Sequence, residues 1–194
     1  MLSYKDSLKI LKETNALIEG HFILSSGLHS AQYVQCAQLL SKPFHAEKFC
    51  ISLAEKISKE FNEIDLILSP AMGGIIIGYE IGRLLKKETI FSERINNEFK
   101  LRRGFQIPQN KKVLIIEDVI TTGKSSLECS ELIKESNAIL IGFACLIDRS
   151  NGVSKLKKKI ISQIEINIPT YKDNELPEDL MSIPTTKPGS RYFK

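Results

Sequence analysis

The sequence predicts an α/β domain in which a central, mainly parallel β-sheet is flanked by helices. Short apolar runs rich in β-branched residues alternate along the chain with longer stretches of helical periodicity. These runs lack a regular polar–apolar alternation, which is typical of strands buried on both faces of a parallel sheet. With 194 residues, the chain is long enough to form one domain with a full core.

The first 40 residues are expected to form a helix followed by a β-hairpin. Apolar side chains recur at helical spacing over residues 4–18, which predicts the helix. Residues 21–35 predict the hairpin, with its turn near Ser26 and Gly27, because glycine supplies the backbone freedom that tight turns need.

Residues 41–168 are expected to form the core, in which helices and strands alternate. One helix is predicted to begin at Pro43, because proline fits the first helical turn, and another covers residues 75–85. The predicted strands are residues 66–69, 89–92, 113–116 and 139–147. Residues 169–194 contain four prolines and little periodicity, which predicts an extension that caps the domain.

Thirteen residues that begin at Val113 carry the strongest functional signal: Val-Leu-Ile-Ile-Glu-Asp-Val-Ile-Thr-Thr-Gly-Lys-Ser. An apolar strand ends in Glu117 and Asp118, and a polar loop leads into a helix predicted to begin near Ser125. At the carboxyl end of a parallel strand, the N–H groups of such a loop favour an anion such as phosphate. Ionised carboxylates only accept hydrogen bonds, so the two acids are expected to face hydroxyl groups.

Two other interpretations of this segment compete. Gly123, Lys124 and Ser125 match the end of a P-loop, but that motif needs a glycine where this chain has Asp118. An ordinary buried strand followed by a capped helix leaves the adjacent Glu-Asp pair unexplained. Both interpretations are therefore less favoured than the interpretation that the segment binds a ligand with hydroxyl groups and a phosphate.

The segment resembles the phosphoribosyl pyrophosphate (PRPP) motif of type I phosphoribosyltransferases. The resemblance implies the type I phosphoribosyltransferase fold, with Glu117 and Asp118 on the ribose 2′ and 3′ hydroxyls. It also implies that the loop wraps the 5′-phosphate. The implied PRPP-binding residues of the motif are Glu117, Asp118, Val119, Ile120, Thr121, Thr122, Gly123, Lys124 and Ser125.

A second loop, with Gly73 and Gly74, follows a predicted strand and precedes a predicted helix. From these residues alone, a plain strand-to-helix turn and a second anion-binding loop are equally favoured. The resemblance implies that Met72, Gly73 and Gly74 bind the pyrophosphate of PRPP. It also implies a cis peptide near Ala71 and Met72.

Three further segments resemble orotate phosphoribosyltransferases. Residues 22–35 resemble the hairpin that covers the base in that family, and residues 91–105 resemble its mobile catalytic loop. Asp148 and Arg149 resemble the segment whose arginine meets the orotate carboxylate. The tail from Lys187 to Arg191 resembles one bacterial subgroup.

The chain departs from better-studied members of that family at three places. Ser25 stands where they have a hairpin lysine, and Met72 with Gly73 stands where they often have Tyr-Lys. Their catalytic loop also contains a histidine, whereas no histidine follows His45 in this chain. The contacts of these missing side chains are expected to be redistributed among the basic residues of the loop.

The polar stretch over residues 93–104 would, without the resemblance, be interpreted as a solvated hairpin. The resemblance implies a lid that closes over the neighbouring subunit's active site in a homodimer. Closure would exclude water and bring guanidinium groups to the departing pyrophosphate. The implied catalytic residues are Arg94, Lys100, Arg102 and Arg103.

Arg149 follows an acidic residue at a predicted strand end, and alone it would be assigned to a surface ion pair. The resemblance implies that it binds orotate, and a planar guanidinium suits a flat carboxylate. Thr121 is the second implied orotate-binding residue. His21, His29 and His45 are too scattered in sequence to predict a metal site, although His29 lies in the hairpin near the expected base.

Composition limits the class of protein and its partners. The apolar and charged fractions, 42% and 26%, are those of a soluble globular protein, and the net charge of +4 does not require nucleic acid. The four cysteines are scattered, which favours a reducing cytoplasm over a disulfide or zinc framework. No signal peptide or membrane-spanning stretch is evident. Mg²⁺ is the expected cofactor, held mainly by PRPP oxygens and water.

The activity implied by the resemblance is transfer of the 5-phosphoribosyl group from PRPP to orotate. The products would be orotidine 5′-monophosphate and pyrophosphate, in the synthesis of UMP. Two alternatives remain open: a phosphoribosyltransferase for another base, and a regulator that keeps the PRPP-binding fold and binds nucleic acid without catalysis.

Overall fold

The computed structural model describes residues 1–24 and 26–188, which form two β-sheets and the helices around them. The helices are α1 (Tyr4–Glu13), α2 (Cys36–Leu40), α3 (Pro43–Glu60), α4 (Gly73–Leu85), α5 (Lys124–Glu135) and α6 (Glu178–Met181). The strands are β1 (Leu17–Ile23), β2 (His29–Val34), β3 (Leu66–Pro70), β4 (Glu88–Ile95), β5 (Glu98–Leu101), β6 (Lys112–Ile120), β7 (Ile139–Asp148), β8 (Ile160–Glu165) and β9 (Thr185–Thr186).

The larger sheet has the strand order β5-β4-β3-β6-β7-β8. Its strands are parallel except β5, which pairs antiparallel with β4 at one edge. The predicted α/β class with a mainly parallel sheet is therefore confirmed.

The central strand β6 shows why the strands lack a polar face. Val113 and Ile115 pack into a cluster shared with α5, whereas Leu114 and Ile116 pack into a cluster shared with helices α1 to α4. All four side chains are fully buried. Successive side chains of a strand point to opposite faces, so a strand covered on both sides must be apolar throughout.

The N-terminal helix is shorter than predicted. It ends at Glu13, and the apolar Leu17 and Ile18 belong to β1 instead. The Thr14 hydroxyl donates to the Ile10 carbonyl at 2.7 Å, and Asn15 then adopts a left-handed φ of 57°, which turns the chain out of the helix. The prediction was wrong here because apolar spacing alone does not locate this turn. Helix α2 and strand β8 were also not predicted.

The predicted polar stretch over residues 93–104 belongs to a β-hairpin that β4 and β5 form. Strand β4 continues to Ile95, and β5 returns through a turn at Asn96 and Asn97, which have left-handed φ values of 49° and 67°. Asparagine tolerates this conformation better than most residues, and it suits two-residue hairpin turns. The predicted strand over residues 89–92 is therefore confirmed but is longer, and it leads directly into the hairpin.

The smaller sheet has the order β2-β1-β9 and is called the hood below. Its antiparallel hairpin confirms the one predicted over residues 21–35, and the short β9 joins parallel to β1. The C-terminal segment thus packs on the hairpin as an added strand. Ser25, Gly189, Ser190 and Arg191, which entered the resemblance, lie outside the described residues.

Candidate active site

Two loops at the carboxyl ends of the adjacent parallel strands β3 and β6 meet closely. A Cβ atom on Gly73 would lie 2.5 Å from Oδ2 of Asp118, and one on Gly74 would lie 3.0 Å from the Ile116 carbonyl oxygen. Only glycine permits this approach at Gly73. The expected cis peptide between Ala71 and Met72 is present, so this part of the prediction is confirmed.

The loop after β6 forms a concave pocket. It is lined by Glu117, Val119, Ile120, Thr121, Thr122, Gly123, Lys124, Ser125 and Ser126. Gly123 has a left-handed φ of 74°, and a Cβ there would lie 2.7 Å from Cγ of Leu156, so both conformation and space favour glycine. Helix α5 begins at the next residue, and its free backbone N–H groups suit an anion in this pocket.

Glu117 is buried within this pocket, with 7% of its surface exposed. Burial raises the pKa of its carboxyl group to about 9, and the neighbouring charge of Asp118 adds to that rise. A hydrogen bond with Ser126 and the charge of Arg94 act in the opposite direction. Without a ligand, Glu117 is therefore protonated near neutral pH and can donate a hydrogen bond, which the sequence-based expectation of an ionised acceptor did not include.

Asp118 lies at the junction of the two loops. Burial raises the pKa of its carboxyl group, while the backbone N–H of Val119 donates to Oδ1 at 2.8 Å and partly offsets that rise. The thiol of Cys36, which follows the hood hairpin, donates to the Asp118 carbonyl oxygen at 3.8 Å. Asp118 therefore contacts α4, β6 and the start of α2.

Arg149 lies directly after β7, beside the same pocket. Its backbone N–H donates to the Ile120 carbonyl at 2.8 Å. The preceding Asp148 accepts from the Ser150 N–H at 2.7 Å and does not pair with the guanidinium. Among the described residues, the buried Nε of Arg149 has no hydrogen-bond partner. A surface ion pair therefore does not account for this side chain.

The environment of Arg149 is completed by the hood. Burial lowers the pKa of the guanidinium, and the nearby groups of Tyr33 and Cys36 oppose that change. Burial raises the pKa of the Tyr33 phenol, and Arg149 lowers it. Tyr33 at the end of β2 and Arg149 are thus close enough for their charges to influence each other. Tyr33 was in the segment that carried the resemblance, but sequence reasoning gave it no role.

Arg94 lies at the base of the β4–β5 hairpin. Its Nη1 donates to the Asn97 carbonyl at 2.6 Å, its Nη2 pairs with Glu128 of α5, and its guanidinium stacks 4.1 Å from the centre of the Phe99 ring. Arg94 thus joins the hairpin to the helix that begins at the phosphate loop. Sequence reasoning missed Glu128, because nothing in its spacing marks a partner 34 residues away.

The other three predicted lid residues pair with acids of the same hairpin. Arg103 donates from Nε to Glu93 at 2.8 Å, and Nη1 of Arg102 lies 3.7 Å from Glu93. Lys100 lies 3.3 Å from Glu98. None of the three lines the pocket formed by residues 117 and 119–126, so their catalytic assignment remains a prediction.

Residues 1–24 and 26–188 contain neither a cluster of metal-binding side chains nor a membrane-spanning helix. No group of three or more His, Cys, Asp or Glu side chains in this part of the chain is arranged to hold a metal ion. No helix in it is both long and apolar enough to cross a membrane. The carboxyl group of Glu117 lines the pocket, and that of Asp118 lies beside Gly73, where the two loops meet.

The chain is similar to known phosphoribosyltransferases over most of its length. The family described as "Phosphoribosyl transferase domain" matches residues 42–179. The chain is 47% identical over 188 residues to the orotate phosphoribosyltransferase of Erythrobacter litoralis, which covers 96% of this chain and 97% of that one. It is also 47% identical over 192 residues to the orotate phosphoribosyltransferase of Parvibaculum lavamentivorans, with 97% and 99% covered.

A solved structure agrees with the fold. The crystal structure of orotate phosphoribosyltransferase from Aeropyrum pernix matches with a TM-score of 0.72 at 22% identity, covering 81% of this chain and 92% of that chain. At this level of identity the likeness concerns the fold alone.

Proposed function

Because this chain belongs to the orotate phosphoribosyltransferase family, we propose that it transfers the 5-phosphoribosyl group of PRPP to orotate. The products are orotidine 5′-monophosphate and pyrophosphate. The observation that supports this choice of base most directly is Arg149. Its buried Nε has no partner among the described residues, and it lies beside the phosphate loop and Tyr33 of the hood. A substrate carboxylate would complete its hydrogen bonding.

The two loops hold PRPP from opposite ends. Residues 121–125 and the first turn of α5 bind the 5′-phosphate through backbone N–H groups and hydroxyls. The pyrophosphate lies against the N-terminus of α4 at Gly73 and Gly74, where the helix dipole favours negative charge. Glu117 and Asp118 bind the ribose hydroxyls between these two anion sites.

The reaction needs no strong acid or base from the protein. Orotate that has lost its N1 proton to water attacks C1 of PRPP through N1, the bond from C1 to the pyrophosphate oxygen breaks, and the ribosyl centre passes through an oxocarbenium-like state. The enzyme contributes by aligning the two reactants and by stabilising the charge that moves onto pyrophosphate. In this scheme Glu117, buried at the ribose, either loses its proton to water on binding or keeps it and donates a hydrogen bond to a ribose hydroxyl.

Magnesium fits this site as a cation that arrives with PRPP. Glu117 and Asp118 lie where the two loops meet, and their oxygens, once ionised, are the hard donors that Mg²⁺ prefers. When bound, Mg²⁺ would neutralise charge on the pyrophosphate, held mainly by PRPP oxygens and water with these two carboxylates nearby.

The hairpin of β4 and β5 acts as the lid of this enzyme. Its cations are paired with Glu93 and Glu98 on the hairpin and with Glu128 on α5. The acids keep the cationic hairpin folded until an anionic substrate competes for the guanidinium groups. Arg102 and Arg103 exchange Glu93 for pyrophosphate oxygens when the lid closes.

The enzyme works as a homodimer in which each lid closes over the partner's active site. The support in this chain is an apolar surface on α4, next to the pyrophosphate loop. Ile76 and Tyr79 expose 56% and 69% of their surfaces there, which is unusual for large apolar side chains on one face of a helix.

A test of the substrate uses Arg149→Lys and Arg149→Met with full steady-state kinetics. The KM for orotate should rise about 10- to 100-fold in both variants, because Lys cannot reproduce the planar fork and Met carries no charge. The KM for PRPP should change by less than about threefold, since the phosphate loop is untouched. Equal losses for both substrates, or no loss, would remove Arg149 from the orotate site.

A further inference from the structure

The hood contains a buried histidine pair that the proposed reaction does not use. Nε2 of His21 lies 2.6 Å from Nδ1 of His29, and both side chains are buried, with 3% and 7% of their surfaces exposed. On the outer sides of the pair, Nδ1 of His21 lies 3.0 Å from the Ile183 carbonyl oxygen, and Nε2 of His29 lies 3.4 Å from Oδ1 of Asp173. The four groups form one chain of hydrogen-bonding contacts.

The acceptor groups at the two ends of this series of hydrogen bonds determine which histidine nitrogens carry protons. A carbonyl oxygen only accepts, so Nδ1 of His21 must carry a proton. Neutral His21 then has a bare Nε2, which accepts from a proton on Nδ1 of His29. The remaining Nε2 of His29 faces the Asp173 carboxylate, which can accept a hydrogen bond from that nitrogen when it carries a proton. The pair therefore accommodates one extra proton, shared along the chain, but two positive rings would place two N–H groups into a 2.6 Å contact.

The pair joins the hood hairpin to the C-terminal segment. His29 and Tyr171 exchange backbone hydrogen bonds of 2.8 and 2.9 Å, and β1 pairs with β9 at His21 and Thr185. Tyr33, at the other end of β2, lies close enough to Arg149 for their charges to interact, and Arg149 is the proposed orotate-binding residue. An anchor at His29 therefore sets where the far end of the same short strand lies over the base.

Few charged groups lie close to the rings of His21 and His29. Among the described residues, Asp173 alone has a carboxylate oxygen within 4.0 Å of either ring, and its side chain is 91% exposed. On the same turn, Lys172 and Glu175 pair with each other. Glu19 of β1 pairs with Lys12. Helix α6, which also packs on β1, carries Glu178 and Asp179.

We propose that His21 and His29 are positioning residues that fasten the hood to the C-terminal segment by sharing one proton, and that a second proton releases it. This inference rests on the proposed function for its kinetic consequence, because the fastened hood holds Tyr33 beside Arg149 for orotate. It predicts that acidification weakens orotate binding more than PRPP binding. Histidine changes charge between about pH 5 and 8, so the release falls within an accessible range.

The first test needs no substrate. The full chain has three histidines, so ¹⁵N-edited imidazole spectra of histidine-labelled protein contain three spin systems, with His45 as the internal reference. At about pH 8, the spectra should place a proton on Nδ1 of His21 and leave its Nε2 bare. As the pH falls, uptake of the second proton should coincide with faster hydrogen exchange of the His29 and Tyr171 amides. A proton on Nε2 of His21 at about pH 8, or two positive rings at low pH with both amides still protected, would overturn the proposal.

The second test is kinetic and uses His29→Gln, with His45→Gln as the matched control. Glutamine cannot titrate, so His29→Gln should have an orotate KM raised about fivefold at neutral pH. From about pH 7.5 to about pH 5.5, wild type and His45→Gln should both show an orotate KM that rises relative to that for PRPP. In His29→Gln, the ratio of the KM for orotate to the KM for PRPP should not change with pH. Parallel pH profiles of all three proteins would contradict the proposal.

The two tests separate this inference from the proposed function. If the chain turns over no orotate, the imidazole spectra and amide exchange still decide whether the pair fastens the hood. If orotate turnover is normal while the rings titrate independently, the proposed function stands and the positioning role is wrong. Should His29→Gln fail to fold, the wild-type spectra alone remain decisive.

Discussion

At the scale of single residues, Glu117 links the site to stability. Its pKa is raised by burial from 4.5 to about 9. Between these values the folded chain holds a proton that the unfolded chain has lost. Its contribution to the free energy of unfolding is therefore present in full below pH 4.5 and is lost as the pH rises toward 9.

Glu117→Gln keeps the shape of the side chain but cannot ionise. From about pH 5 to about pH 8.5, the free energy of unfolding of this variant should gain about 4–5 kcal/mol on wild type. Urea unfolding at several pH values measures this difference. Glu131→Gln, an exposed acid on α5, serves as the control with a pH-independent difference, and parallel profiles for Glu117→Gln would contradict the assigned burial effect.

Gly73 tests the contact between the two loops. In Gly73→Ala, the added Cβ would lie 2.5 Å from Asp118 Oδ2, so either the loop or the carboxylate must move. Because misplacement of about 1 Å can cost about 100-fold in rate, kcat/KM for PRPP should fall by about that factor. Circular dichroism should show an intact fold, and wild-type kinetics in a folded variant would exclude a tight junction at the ribose.

Individual site residues were predictable where a motif fixed them, and not where tertiary contacts did. The loop over residues 121–125 and the glycines of the second loop were located from sequence, because turns and close approaches demand particular residue types. Ser126, Tyr33 and Glu128 were missed, since their partners lie on other elements. The sequence did not predict that His21 and His29 are neighbours. They meet because β1 and β2 pair in a hairpin that contains a bulge.

At the scale of elements, the lid carries the clearest prediction. Arg102→Ala and Arg103→Ala should each lower kcat by about 10- to 100-fold and change the KM for PRPP by less than about threefold, because their contacts form as charge moves onto pyrophosphate. Lys111→Ala, an exposed cation paired with Asp65 outside the hairpin, is the control. Unchanged turnover in both arginine variants would reject the lid assignment.

Element prediction succeeded for the buried strands and failed at their ends. Apolar runs located β3, β6 and β7 because both faces of each are covered. They did not show that β4 runs on into a polar hairpin, because solvent-facing strands are stabilised by pairing and by the turn at Asn96 and Asn97. The prediction made helix α1 too long for a related reason. Apolar residues such as Leu17 and Ile18 fit a helix and a strand equally well.

At the scale of the whole molecule, the proposed dimer can be tested on α4. Wild type should sediment at twice the chain mass of 21.9 kDa. Tyr79→Glu places a charge in the proposed interface, so it should sediment as a monomer and lose turnover. Tyr4→Glu, at an exposed aromatic position on α1, should remain a dimer. A fully active wild-type monomer would exclude a lid shared between subunits.

Sharing of the lid has a more specific consequence. Mixing the impaired Arg102→Ala with the impaired Gly73→Ala should raise turnover to as much as about a quarter of the wild-type value after subunit exchange. In half of the dimers, one of two sites then combines an intact lid with an intact loop. Activity that stays at the level of the separate variants would place the lid over its own subunit's site.

The central claim concerns the base. The most direct measurement is the absorbance change of orotate with purified protein, Mg²⁺ and PRPP, with uracil, hypoxanthine and adenine in parallel. We expect rapid, PRPP-dependent consumption of orotate alone. Turnover of another base in place of orotate would contradict the role given to Arg149, and turnover of no base would favour a PRPP-binding regulator.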